Sequence, residues 1–214
     1  MKEFIIDQLK KSCEVKKSIL EDSELLDLIK KAVEITIQAY KNGNKVLVAG
    51  NGGSAADAQH IAGEFVSRFY FDRPGLPAIA LTTDSSILTA IGNDYGYENL
   101  FARQIQANGK TGDIFFAIST SGNSPNIIKA IEAARKSGII TIGFSGKKQC
   151  KMDEICDISL KMPSFETPRI QEAHITIGHI ICAAVEKQLF GEDYGSALQN
   201  VHSAFEKVIS GDDR

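Results

Sequence analysis

The apolar run Ile114-Phe115-Phe116-Ala117-Ile118 leads straight into Ser119-Thr120-Ser121-Gly122-Asn123-Ser124-Pro125, and this junction constrains the fold more than any other stretch. The run is of strand length and rich in aromatic and β-branched residues, whereas Ile127, Ile128, Ile131 and Ala134 recur beyond it at helical spacing. Pro125 stands where a helix begins, a place that tolerates proline because the missing N–H had no partner there. A helix N-terminus presents unpaired N–H groups and the positive end of the helix dipole, which suits a phosphate. A strand-to-helix turn with a serine cap is the plainer reading. Four hydroxyls, Ser119, Thr120, Ser121 and Ser124, weigh against it.

A second turn of the same kind lies upstream. Lys45-Val46-Leu47-Val48-Ala49 reads as a buried strand that runs into Gly50-Asn51-Gly52-Gly53-Ser54, followed by an alanine-rich helix. The glycines permit positive φ and a close approach of backbone to ligand. Ser54 is expected to cap the helix, with Asp57 completing a capping box. The sequence lacks the Gly-Lys-Ser/Thr of a P-loop and the glycine order of a dinucleotide fingerprint. Two such turns, each after a strand, predict one ligand gripped at the carboxyl edge of a parallel sheet.

The rest of the chain follows this plan. Amphipathic helices are expected at about 3–20 and 24–41, the second stopping at Asn42-Gly43, and together they form an N-terminal helical arm over residues 1–43. Strands are expected near 45–49, 78–81, 113–118, 139–144 and 157–160, with helices near 54–68, 85–92, 97–107, 124–137 and 168–190. This alternation predicts an α/β fold: a three-layer α/β/α sandwich around a mainly parallel five-stranded sheet, with the body at 44–190. One domain is expected over residues 1–214, frayed at about 205–214. The net charge of -3 gives no basic footprint for nucleic acid. Without a run of 18 apolar residues or a signal-like N-terminus, a cytoplasmic protein with no membrane partner is expected. Cys13, Cys150, Cys156 and Cys182 show no Cys-x-x-Cys spacing and are expected to be reduced.

Two helices carry the candidate chemistry. His60 and Glu64 are four apart and project from one face of the helix after the Gly-rich turn. Gln171, His174 and His179 lie on the last helix. Gln171 and His179 share a face but stand roughly 12 Å apart along its axis, so their spacing leaves open whether both reach one ion. His174, on an Ile-rich surface, reads as a core histidine.

Several of these motifs resemble those of sugar isomerase (SIS) domains: the strand followed by Gly50-Asn51-Gly52-Gly53-Ser54, and the strand followed by Ser119-Thr120-Ser121-Gly122-Asn123-Ser124-Pro125. Ala55-Ala56-Asp57-Ala58-Gln59-His60, Gly92-Asn93-Asp94 and Arg169-Ile170-Gln171-Glu172-Ala173-His174 are similar to the phosphoheptose isomerase branch, over about residues 1–190. The resemblance implies a flavodoxin-like sheet and isomerisation of sedoheptulose 7-phosphate to D-glycero-D-manno-heptose 7-phosphate, towards bacterial lipopolysaccharide or capsule. It implies zinc on His60, Glu64, Gln171 and His179, with Glu64 and His179 as the acid/base pair. Substrate contacts are implied at Asn51, Gly52, Gly53, Ser54, Asn93, Asp94, Ser119, Thr120, Ser121, Ser124 and Gln171, and a homotetramer as the assembly. Pro168 departs from the pattern, standing where some members carry an acidic residue. The alternatives are a sugar-phosphate sensor, which would normally carry a DNA-binding appendage, and a non-catalytic partner of a replication initiator. Two carboxylate–imidazole partners have no use in a scaffold and favour the enzyme.

Overall fold

A computed structural model describes residues 1–191, so the frayed tail expected at 205–214 lies outside the described residues. Two helices, α1 (Lys2–Glu21) and α2 (Ser23–Lys41), precede the strands, and the Asp22 side chain caps α2 by accepting from the Leu25 N–H. The strands are β1 (Val46–Ala49), β2 (Ala78–Ala80), β3 (Ile114–Ile118), β4 (Ile140–Ser145) and β5 (Ile158–Lys161). They form one sheet in the order β2-β1-β3-β4-β5, and every pairing is parallel. This is the flavodoxin-like order, with the chain reversing direction across the sheet between β1 and β3.

Between the strands lie α3 (Gly53–Val66), α4 (Ser85–Tyr95), a 3₁₀ turn (Tyr97–Asn99), α5 (Leu100–Asn108), α6 (Pro125–Lys136) and the single turn α7 (Met152–Ile155), with α8 (Thr167–Leu189) after β5. Alternate strand residues face opposite layers. Val46, Val48, Ile114, Phe116, Ile142 and Phe144 pack with α2, α3 and α8, whereas Leu47, Ala49, Phe115 and Ala117 pack with α5 and α6.

Two local expectations are corrected. Ser54 does not cap α3: Gly52, at φ +57°, turns the chain so that the helix starts at Gly53, and no side chain caps it. Ser54 is buried instead, with its backbone packed against Gly50 so closely that no Cβ fits there. Asn93 and Asp94 do not lie in a break between helices but in the last turn of α4, which runs on to Tyr95 before Gly96, at φ +86°, redirects the chain. The following helix begins as the 3₁₀ turn and becomes α-helical only at Leu100. Leu25, Ile29, Ala32 and Val33 of α2 belong to the buried core, so the helical arm packs on the body.

Candidate active site

The two ligand-type turns leave the carboxyl ends of the neighbouring strands β1 and β3. In the second, the buried Ser119 Oγ lies 3.0 Å from Ser124 Oγ and 3.4 Å from Ser121 Oγ, so three hydroxyls share one spot. Gly122, at φ +63°, makes the bend, and its Cα abuts the Cys150 thiol with no room for a side chain. The loop is braced from behind: the Met152 N–H donates to Gly122 O (3.2 Å), and the Lys151 N–H to Asn123 Oδ1 (2.9 Å). Pro125 opens α6, as its fixed φ favours.

In the first turn, Asn51 Nδ2 donates to Asn126 Oδ1 (2.9 Å) and Asn126 Nδ2 to Asn51 Oδ1 (2.8 Å). The Tyr97 hydroxyl also donates to Asn51 Oδ1, at 3.2 Å. Asn51, Gly52 and Tyr97, with Leu88 and Phe101, line a cavity of about 470 Å³. Asn93 Nδ2 donates to Asp94 Oδ1 (2.8 Å) at the exposed end of α4.

Helices α3 and α8 lie side by side and run in the same direction. Near the start of α3, the Gln171 amide fills the space a Cβ on Gly53 would take. Midway, Gly178 lets α8 approach Ile61. At the far end, Arg73 donates to the Glu64 and Phe65 carbonyls (2.9 and 2.7 Å) and pairs with Glu186 of α8 at 2.9 Å. Glu186 also accepts from the Phe69 and Tyr70 N–H groups (2.8 and 2.7 Å), so this buried pair is fully satisfied.

Between these clamps, His179 Nε2 lies 2.8 Å from His60 Nε2, and Glu64 Oε1 lies 3.0 Å from His60 Nε2. The three donor atoms lie within 4.8 Å of one another. Phe69, on the loop held by Glu186, places its ring 5.6 Å from that of His179. Burial, with His60 adding to it, lowers the His179 pKa against the opposing pull of Glu64. Two imidazoles and a carboxylate form a common catalytic zinc donor set, and neutral imidazole is the form that binds metal. The residues therefore fit a divalent cation. Gln171, at Gly53, stands seven residues of α3 before His60, roughly 10 Å along the axis.

His174 is 1 % exposed and its Nε2 donates to Ser145 O at 3.1 Å, while burial lowers its pKa to about 4: it is a neutral core histidine, as its surroundings in the sequence predict. Sequence reasoning missed Asp57, Asn126, Arg73 and Glu186. Asp57, expected to help cap α3, instead holds one carboxyl oxygen buried without a partner one turn before His60, and burial raises its pKa against the opposing effect of that imidazole. The one available signal was its position, three residues from His60 on the same helix face.

Residues 11–146 match the model of the SIS domain. Phosphoheptose isomerase 2 of Campylobacter jejuni is 68 % identical over 180 residues, spanning 84 % of this chain and 90 % of its own. Phosphoheptose isomerase of Aneurinibacillus thermoaerophilus is 63 % identical over 196 residues, 92 % of this chain and 99 % of that one. The solved phosphoheptose isomerase of Neisseria gonorrhoeae superposes with a TM-score of 0.81 at 39 % identity, covering 87 % of this chain and 98 % of that one. Sheet order, paired turns and comparisons agree, and the chain belongs to the phosphoheptose isomerases, sugar-phosphate isomerases of the SIS-domain family.

Proposed function

We propose that this enzyme converts sedoheptulose 7-phosphate to D-glycero-D-manno-heptose 7-phosphate, supplying heptose for lipopolysaccharide or capsule. The observation that carries this reading is the His60–Glu64–His179 cluster, set on helices that frame the two turns. Aldose–ketose isomerisation moves a proton between C1 and C2 and needs a base at the carbons and an acid at the oxygens. Glu64 takes the carbon-bound proton and returns it to the neighbouring carbon. His179 exchanges a proton with the carbonyl and hydroxyl oxygens, and its lowered pKa keeps it close to neutral pH in its basic form. Ser119, Thr120, Ser121 and Ser124 hold the phosphate, helped by the N–H groups at the start of α6. Asn51, Gly52, Gly53, Ser54, Asn93, Asp94 and Gln171 orient the sugar.

Zinc is the metal this donor set suits, and His60, Glu64 and His179 would hold it, where it would supply a Lewis acid for the carbonyl oxygen. Gln171, packed at Gly53, stands out of reach of these donor atoms and serves the sugar instead. A homotetramer is the expected assembly, and a cytoplasmic site of action follows from a phosphorylated sugar substrate. Among the described residues, no helix is long and apolar enough to cross a membrane. The test is a coupled assay in which purified protein consumes sedoheptulose 7-phosphate and forms the aldose, alongside metal analysis. Failure to turn over this ketose after metal reconstitution overturns the substrate assignment.

A further inference from the structure

Asn126 holds none of the roles assigned above, yet it joins the two turns. It is the second residue of α6, 2 % exposed, and both side-chain hydrogen bonds found for it go to Asn51, 75 positions earlier in the chain. A buried amide is costly unless it is hydrogen-bonded. A reciprocal pair of this kind satisfies donor and acceptor only when both partners are carboxamides of matching reach. With Asn126 Nδ2 and the Tyr97 hydroxyl both on Asn51 Oδ1, the two lone pairs of that oxygen are occupied. What Asn51 has left to offer a ligand is the second N–H of Nδ2. The same pair ties the Gly-rich turn to the helix that begins at the hydroxyl loop.

We propose that Asn126 is a positioning residue for the substrate: it fixes Asn51 as an N–H donor and holds the two turns at a constant separation. The proposal rests on Asn51 contacting the sugar phosphate, as read above. Contacts to a part of the substrate that does not react act equally in ground and transition states, so their loss raises KM and spares kcat.

The experiment compares Asn126→Ala, Asn126→Asp, Asn51→Ala and the Asn51→Ala/Asn126→Ala double variant in steady-state kinetics, with thermal midpoint and metal content measured for each. Asn126→Ala is expected to raise KM for sedoheptulose 7-phosphate about tenfold, the worth of one or two hydrogen bonds, with kcat within threefold and metal content unchanged. Asn126→Asp keeps the shape and can accept from Asn51 but cannot donate, and is expected to raise KM at least as much. The double variant should be no worse than Asn51→Ala, because Asn126 acts through Asn51. A folded Asn126→Ala with KM within twofold of the parent overturns the proposal, and so does fully additive behaviour in the cycle. If the alanine variant does not fold, the isosteric Asn126→Asp decides by the same twofold criterion. Unchanged KM in Asn51→Ala instead overturns the underlying reading that Asn51 contacts substrate.

Discussion

Glu64 and His60 interact at 3.0 Å on one helix face, and that pair makes the chemistry testable one residue at a time. Glu64→Gln keeps the shape but cannot accept a proton from carbon. Turnover should fall about 10²–10⁴-fold, with KM near the parent value and metal content measured alongside to separate lost base from lost ligand. Ser119→Ala and Ser124→Ala each remove one of the clustered hydroxyls. Each should weaken binding of the phosphorylated sugar by about 0.5–1.5 kcal/mol, read as KM or by titration calorimetry. The residues that were legible in the sequence are those whose chemistry is local: hydroxyls after a strand, glycines before a helix, a His and a Glu four apart. Asn126 and Glu186 were not, because their partners lie 75 and 113 positions away and no spacing rule reaches that far. Asp57 was misread for the opposite reason, since a Ser-x-x-Asp pattern looks like a cap whenever the helix cap is placed two residues late, at Ser54 instead of Gly52.

The order of the strands and of the long helices was legible because period-2 and period-3.6 patterns depend on burial of the sheet and its covering helices, whereas α7, a single turn, is too short to show a helical period. Element ends were less so: Gly52 and Gly96 set two of them through positive φ, which composition alone does not reveal. The element pair that matters most is α3 with α8. Gly178→Val should push α8 away from Ile61 and so part His179 from His60 and Glu64. Metal affinity, measured by chelator competition, should drop about 10–100-fold, the effect typical of disturbing a site's supporting contacts. A second element-level test concerns the start of β3. Burial raises the Asp113 pKa, but the Lys45 ammonium, the Lys110 and Lys45 N–H groups and the Asn44 amide outweigh it, so the carboxyl is held below its ordinary value. A depressed native pKa adds stability above the unfolded value of about 3.9 and loses it as pH falls through the native one. Asp113→Asn should therefore cost about 3 kcal/mol in urea unfolding at pH 7, and the gap to the parent should narrow below about pH 4.

At the scale of the whole molecule, α1 shows an apolar stripe to solvent: Phe4 is 63 % exposed and Leu9 62 %. That face suits the subunit packing proposed above. Because α2 and Ile19 of α1 are part of the core and Val15 packs on it, the informative truncation removes residues 1–14 alone, and Phe4→Glu/Leu9→Glu is a milder alternative. Either change should reduce the oligomer seen by light scattering and lower activity while leaving far-UV circular dichroism of the body intact. A fully active monomer would contradict the assembly.

His60 and His179 meet although 119 positions separate them, and almost the whole sheet is threaded between the two. An ion bound there would close a loop of that length in the folded state alone, and so would stabilise the fold by mass action as well as serve the chemistry. During synthesis the early half of the site would wait, incomplete, until α8 left the ribosome. Metal capture would then mark a chain whose α8 has docked on α3, and scarcity of the ion would shorten the lifetime of the protein as well as slow its turnover.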